Sequence, residues 1–165
     1  MIRTNRVNAY DVAPDAMAGL LRVEKYLARS GLERSLVELV KMRASQINGC
    51  AFCLELHSRE ARAAGESERR LYLLDAWAES SLYSERERAA LAWAEALTKI
   101  WDNHAPDALF ERVRSQFSEK ELADLTTLVA LINAWNRLAI ALRYEHSDPL
   151  EGRRLTEAGL EPACP

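Results

Sequence analysis

The chain of 165 residues contains little glycine and proline, 6 and 5 residues respectively. This share is about half of the roughly 12% that is usual in soluble domains. A fold built from many short strands and tight turns is therefore excluded. Alanine and leucine, which favour helices, are abundant instead. The composition predicts an all-α domain with long helices.

A strong charge of one sign and a long hydrophobic run are also missing. The formal net charge is -3, which gives no electrostatic reason to bind nucleic acid or an anionic membrane. The most apolar window, 125–135, is interrupted by Thr126, Thr127 and Asn133, and a membrane span needs about 18 apolar residues. The first 17 residues lack the apolar stretch of a secretory signal. We therefore expect a soluble cytoplasmic protein with no nucleic-acid or membrane partner.

Helical periodicity, capping residues and stop signals divide the chain into about seven helices within one domain. Ser84 with Glu87, and Ser118 with Glu121, have the spacing of a capping box and so mark two helix starts. The last helix is long enough for a break near Asn133. A tail, 147–165, has weak periodicity and is expected to pack on a partner subunit or to stay mobile. The predicted helical segments are 14–30, 33–48, 50–65, 67–77, 85–100, 106–117 and 119–144.

Cysteine is scarce as well, and three residues do not make a disulfide scaffold. Cys50 and Cys53 form a CxxC at the predicted start of the third helix, and His57 follows one turn later. On a helix these three residues fall within roughly 60° of each other, on the face that Ala61 continues. Residues three apart are also close enough for a disulfide. The spacing predicts a partly buried redox dithiol beside a base.

The first helical turn is expected to favour the thiolate of Cys50, because unpaired N–H groups and the helix dipole stabilise a negative charge there. His57 can exchange a proton with Cys53, which favours Cys53 instead. The two effects oppose each other and leave both orders of attack open; of the two we favour attack by Cys53, with Cys50 closing the disulfide.

The CxxC pair also has other interpretations, which the sequence favours less. Two cysteines in a helical core are often small hydrophobic residues. A zinc site needs a fourth ligand, and His104, His146 and Cys164 are distant in sequence. Covalent haem attachment requires a histidine directly after the second cysteine, where this chain has Leu54. A thioredoxin-like motif requires a βαβ unit, which the pattern does not provide. No metal or cofactor is therefore expected.

The segment ELVKMRASQINGCAFCLELHSREARAAGE resembles the core of the AhpD-like alkylhydroperoxidases, a branch of the carboxymuconolactone decarboxylase family. The family signature is a glutamate, eleven residues, CxxC, three residues and a histidine. Glu38, Cys50, Cys53 and His57 fill that spacing. The wider resemblance covers most of the chain, which is expected to be a single domain over 1–165.

The resemblance implies an AhpD-like helical fold, homo-oligomeric assembly, and an antioxidant peroxidase that forms a Cys50–Cys53 disulfide. It implies a peroxide substrate and an external dithiol reductant, lipoyl or thioredoxin-like. It also gives Glu38 a catalytic role, whereas the helical pattern alone places Glu38 away from the apolar stripe, as a solvated residue. Some relatives carry a second histidine just before the later cysteine, where this chain has Phe52, so a proton relay would be shorter.

Two alternatives remain at this point. The dithiol could act on protein or small-molecule disulfides without significant peroxidase activity. The chain could also be a lactone enzyme similar to the carboxymuconolactone decarboxylases, for whose reaction a CxxC is not needed.

Overall fold

The computed structural model describes residues 5–145, which form nine α-helices and one 3₁₀ helix and contain no strand. The all-α prediction is confirmed. More helices occur than the seven expected, because two single-turn helices are too short to show a periodicity. The elements are α1 Ala9–Val12, α2 Pro14–Leu27, α3 Arg34–Asn48, α4 Ala51–Ala63, α5 Glu68–Leu73, the 3₁₀ helix Leu74–Glu79, α6 Glu85–Thr98, α7 Ile100–Asn103, α8 Asp107–Arg114 and α9 Glu119–Leu142. The tail 147–165, including Cys164, lies outside the described residues.

Both predicted capping boxes are present. At the start of α6 the Ser84 side chain accepts from the N–H of Glu87, whose carboxylate accepts from the N–H of Ser84. Ser118 and Glu121 make the same pair of bonds at the start of α9. Each box satisfies N–H groups that have no partner within the helix. These bonds fix where α6 and α9 begin.

The core lies where α3, α6 and α9 meet. Leu39 and Val40 of α3 and Leu125 and Val129 of α9 are fully buried. Burial of such a side chain contributes about 1.5–3 kcal/mol. Helix α4 packs mainly against α3 and also reaches α9. The start of α4 is therefore enclosed between two core helices.

Helix α9 runs without interruption from Glu119 to Leu142, so the expected break near Asn133 is wrong. Asn133 donates to the Val129 carbonyl 2.9 Å away, within its own helix, and to the Thr98 hydroxyl at 3.0 Å. Because its amide has partners inside the core, the polar side chain does not compete with the helical backbone.

By length and hydropathy α9 is also the only helix in the described part of the chain that could cross a membrane. Thr126, Thr127 and Asn133 interrupt the apolar run, yet the average hydropathy over 18 residues of α9 is still high enough for a span. Of the most apolar stretch, 39% is buried inside the domain. Core helices of globular domains pass the same test, and α9 contributes Leu125 and Val129 to the core.

Candidate functional site

The geometry of the site begins at the joint between α3 and α4. Gly49 ends α3 with φ +67°, in the left-handed region that favours glycine. The N–H of Cys50 then bonds to the Ser45 carbonyl at 3.0 Å. Cys50 is the N-cap of α4, one residue before the helix. The sequence places a thiol at this cap because Asn48-Gly49 terminates one helix immediately before the next one starts.

The two thiols predicted to act together are adjacent and buried. Cys50 and Cys53 are both in the thiol form, with their Sγ atoms 2.7 Å apart. The N–H of Cys53 also points to Cys50 Sγ at 3.4 Å. Only 1% of Cys50 and 3% of Cys53 is exposed. The predicted inward orientation of the CxxC is therefore present in the structure.

The charge of a thiolate is favoured on Cys50. Hydrogen bonding from the Cys53 thiol lowers the pKa of Cys50 the most, and burial opposes it. The Cys53 N–H, the Asn136 side chain and the charge of His57 lower it further, to about 7. At neutral pH roughly half of the Cys50 thiol is then ionised, against a few per cent of an ordinary cysteine.

His57 lies between two carboxylates. Its Nδ1 is 3.0 Å from Glu38 Oε2 and 3.0 Å from Glu60 Oε2. Because ionised carboxylates only accept, Nδ1 carries the hydrogen and Nε2 is the nitrogen that can exchange a proton. Burial alone lowers the pKa of His57, but the hydrogen bonds to Glu38 and Glu60 raise it overall.

Glu38 is buried, with 5% of its surface exposed, which contradicts the solvated position that the helical pattern indicated. The resemblance predicted its proximity to the CxxC helix, and Glu38 does contact His57. Pattern reasoning failed here because the polar face of α3 packs against α4 and not against water.

A buried lysine balances the carboxylates. Lys41 pairs with Glu24 and lies 3.8 Å from Glu38. Burial alone lowers the pKa of Lys41, while Glu24 and Glu38 raise it overall. Oxygen and nitrogen atoms of Glu38, His57 and Glu60 lie within 4.8 Å of each other, as metal ligands do. The Lys41 ammonium already supplies a cation there, so the cluster suits proton transfer better than metal binding.

An apolar cover lies over the sulfurs. Ala139 of α9 packs on both cysteines, and Phe52 and Tyr144 border them. The two rings meet edge to face, with centroids 5.6 Å apart. Phe52, which stands where some relatives have histidine, therefore contributes an apolar wall to the site.

Sequence reasoning identified four site residues, and the structure brings all of them together: Cys50, Cys53, His57 and Glu38. It missed Glu60, Lys41 and Asn136. Glu60 follows His57 by three positions, a spacing that could have been noticed. Asn136 was missed because no local pattern links it to a cysteine 86 positions earlier.

The chain is similar to proteins of one known family. Residues 14–96 match the model of the carboxymuconolactone decarboxylase family. The uncharacterized protein YdfG of Bacillus subtilis is 43% identical over 139 residues, which cover 84% of this chain and 95% of YdfG.

Solved structures share the fold. A protein of unknown function from Agrobacterium tumefaciens, provisionally named an antioxidant defence protein AhpD, is 43% identical with a TM-score of 0.83. That match covers 87% of this chain and 98% of the other. The debrominase Bmp8 is 22% identical with a TM-score of 0.73, over 87% of this chain and 77% of Bmp8. The second likeness concerns the fold alone.

Proposed function

The chain belongs to the carboxymuconolactone decarboxylase family and has its AhpD-like fold, and from this we propose that it is a thiol peroxidase that uses Cys50 and Cys53. The single observation that carries the proposal is the dithiol itself. Two buried thiols lie 2.7 Å apart at a helix start, and the pKa of Cys50 is lowered to about 7. Such a pair is suited to reversible oxidation to a disulfide.

In the oxidative step, the proton of the Cys53 thiol moves to the Cys50 thiolate, and the Cys53 thiolate so formed attacks the distal oxygen of a peroxide. The O–O bond breaks and the leaving alkoxide or hydroxide takes a proton from His57. Cys53 becomes a sulfenic acid, which condenses with the Cys50 thiol to a disulfide and releases water. Each cycle therefore reduces one peroxide and oxidises one dithiol.

Glu38 and Glu60 keep the His57 ring oriented with Nε2 available for the exchange of protons. Their charges favour the protonated ring, which is the form that donates to the leaving group. Glu38 is enclosed, whereas 31% of the Glu60 side chain is exposed. Glu60 is thus the member of the cluster through which a proton can be returned from solvent.

An external dithiol, lipoyl or thioredoxin-like, is proposed to reduce the disulfide by exchange. We expect the protein to act as a homo-oligomer in the cytoplasm. The reaction as proposed requires no metal and no bound cofactor.

Stopped-flow oxidation of the single variants Cys53→Ser and Cys50→Ser tests the proposed order. We expect Cys50→Ser to form a sulfenic acid at Cys53 and to stop there, because no second thiol remains to condense with it. A Cys53→Ser protein that still forms a sulfenic acid at the full rate would show that Cys50 attacks.

A dithiol–disulfide oxidoreductase is the second candidate, and Phe52 in place of histidine favours it because the relay has one titratable group fewer. Comparing turnover of an organic peroxide with turnover of a small disulfide separates these two activities. A lactone decarboxylase is the third candidate. It would keep full activity when both cysteines are replaced by serine, whereas the other two activities would be lost.

A further inference from the structure

A chain of amide side chains, half-buried at Asn48 and buried at Asn133 and Asn136, joins α3 to α9 beside Cys50, and the proposed reaction gives it no role. Asn48 Nδ2 lies 2.9 Å from Asn133 Oδ1 and 2.8 Å from Asn136 Oδ1. Asn136 Nδ2 lies 3.0 Å from Ser45 Oγ. Asn136 and Ser45 are completely buried. Buried amides in so apolar a helix require a full set of partners.

The direction of these hydrogen bonds follows from a group at one end that can only donate. Arg137 Nη1 lies 2.9 Å from the Asn133 side-chain atom assigned as Oδ1, and a guanidinium has no acceptor. That atom of Asn133 is therefore the oxygen. Asn48 must then present its nitrogen to Asn133, and the same nitrogen donates to Asn136. The Asn136 atom that faces Asn48 is therefore the oxygen.

The other end of the chain gives the same answer. The Ser45 hydroxyl donates its single hydrogen to the Lys41 carbonyl, 2.7 Å away. Ser45 Oγ can then only accept from Asn136, so the Asn136 atom that faces Ser45 is the nitrogen. The two ends of the chain, Arg137 and Ser45, thus give the same orientation of the Asn136 amide.

One hydrogen of Asn136 Nδ2 remains after the bond to Ser45. Ser45 and Asn48, the two α3 partners of Asn136, lie five and two positions before Cys50, and the Ser45 carbonyl accepts from the Cys50 N–H. Ala139, on the same face of α9 as Asn136 and one turn later, packs on the cysteines. The remaining hydrogen therefore has the Cys50 sulfur as its neighbour. A hydrogen bond from Asn136 to this sulfur stabilises the Cys50 thiolate.

We propose that Asn136 is a positioning residue that donates a hydrogen bond to the Cys50 sulfur and keeps the negative charge of the reduced dithiol on that sulfur. This inference rests on the proposed dithiol function for its purpose, although its test does not need peroxidase activity. Among the largest influences on Cys50 in the described structure, the titratable groups are Cys53 and His57, both on α4. Asn136 adds an uncharged donor from the opposite helix.

The consequence for the reaction concerns the reduction of the disulfide. When an external thiolate attacks Cys53 Sγ, the S–S bond breaks and its electron pair leaves on Cys50. A new bond joins the external sulfur to Cys53, and a second external thiol then releases Cys53. Exchange is faster when the leaving sulfur is the more acidic one. Asn136 therefore selects Cys50 as the leaving thiolate and Cys53 as the site of the mixed disulfide.

Alkylation with iodoacetamide across pH, followed by mass spectrometry of the Cys50 peptide, tests the proposal in Asn136→Leu and Asn136→Asp. Both variants lack the amide donor, and the aspartate keeps the shape of the side chain. We expect the midpoint of Cys50 alkylation to move to higher pH and its rate at pH 6 to fall about tenfold, since a hydrogen bond to a charged group is worth about that factor.

Ser45→Ala is the matched control, because it removes a buried partner of Asn136 but leaves the bond from Asn48 that orients the amide. It should lower the thermal midpoint of unfolding without moving the alkylation midpoint. An unchanged alkylation profile in whichever Asn136 variant folds would overturn the proposal. An equal displacement in Ser45→Ala would also overturn it, because the effect would then be merely structural. If the wild-type protein did not turn over peroxide, the proposed function would be contradicted, but the alkylation result for Asn136 would still hold.

Discussion

At the scale of single residues, the chemistry depends on where one negative charge rests. Three donors converge on Cys50: the Cys53 thiol, the Cys53 N–H and the Asn136 amide. The His57 ring, held by two carboxylates, adds a positive charge nearby. The three hydrogen-bond donors are uncharged, so they stabilise the negative charge on Cys50 even when the imidazole is neutral.

The pH dependence of Cys50 reactivity follows from its lowered pKa. We expect peptide-resolved alkylation of Cys50 to rise with pH through a midpoint of about 7. Replacement of Cys53 by alanine removes the largest stabilising cause and should move this midpoint upward. A midpoint near 8.5 in the wild-type protein, as in a free cysteine, would contradict the assignment.

Glu60, which the sequence pattern did not single out, gives a second prediction. Glu60→Gln removes one of the two carboxylates that raise the pKa of His57. The protonated ring is lost as pH rises through that pKa, so a lower pKa moves the decline in activity to lower pH. We expect peroxide-dependent oxidation at pH 7 to fall by up to about tenfold.

The control for Glu60 is Glu55→Gln, an exposed carboxylate on the same helix. It should leave the rate and its pH profile unchanged. If Glu60→Gln oxidised at the wild-type rate at every pH, then Glu38 alone would be sufficient for the orientation of His57.

At the scale of elements, the joint between α3 and α4 positions the dithiol. The αL conformation of Gly49 turns the chain so that Cys50 caps α4 while its N–H still bonds to α3. A Cβ at position 49 would meet nothing within 4 Å. Any cost of a substitution there is therefore backbone strain and not a clash.

We predict that Gly49→Ala lowers the free energy of unfolding by about 1–2 kcal/mol, the cost of a left-handed residue with a Cβ. Urea denaturation measures this value. Gly49→Asn is the matched variant and should cost less, because asparagine tolerates this conformation better. Equal stability of the alanine variant and the wild-type protein would mean that the joint relaxes to another conformation.

The helices themselves were largely predictable, and the reasons are local. Capping boxes, Gly49 as a stop and the 3.6-residue period set the ends of α3, α6 and α9 to within a few residues. Two features could not be predicted locally. Single-turn helices carry no period, and Asn133 suggested a break because its partner Thr98 lies on another helix.

The site divides in the same way. Helical arithmetic placed Cys50, Cys53 and His57 on one buried face, because they follow one another over about two turns at the start of α4. Glu38 came from the family resemblance, since its own helix pattern indicated solvent. Asn136 could not have been found from the sequence, because its role depends on the packing of α9 against the end of α3.

At the scale of the whole molecule, the fold places a chain of alternating charges next to the dithiol. Glu24, Lys41, Glu38, His57 and Glu60 follow one another across α2, α3 and α4, and each charged group has an opposite neighbour. Buried charges are tolerated only when they are paired in this way. The cysteines themselves lie under an apolar cover. The groups that can exchange protons therefore lie in a charged cluster beside the dithiol, whereas the surroundings of the sulfurs are apolar.

The most direct test of this account is a thiol count on the Cys164→Ser protein, in which Cys50 and Cys53 are the only remaining cysteines. We expect one equivalent of an organic peroxide to remove both thiols, and an added dithiol to restore both. Replacement of either cysteine by serine should abolish this reversible loss. Retention of both thiols under peroxide, or their loss to forms that a dithiol cannot reverse, would contradict a redox function for the pair.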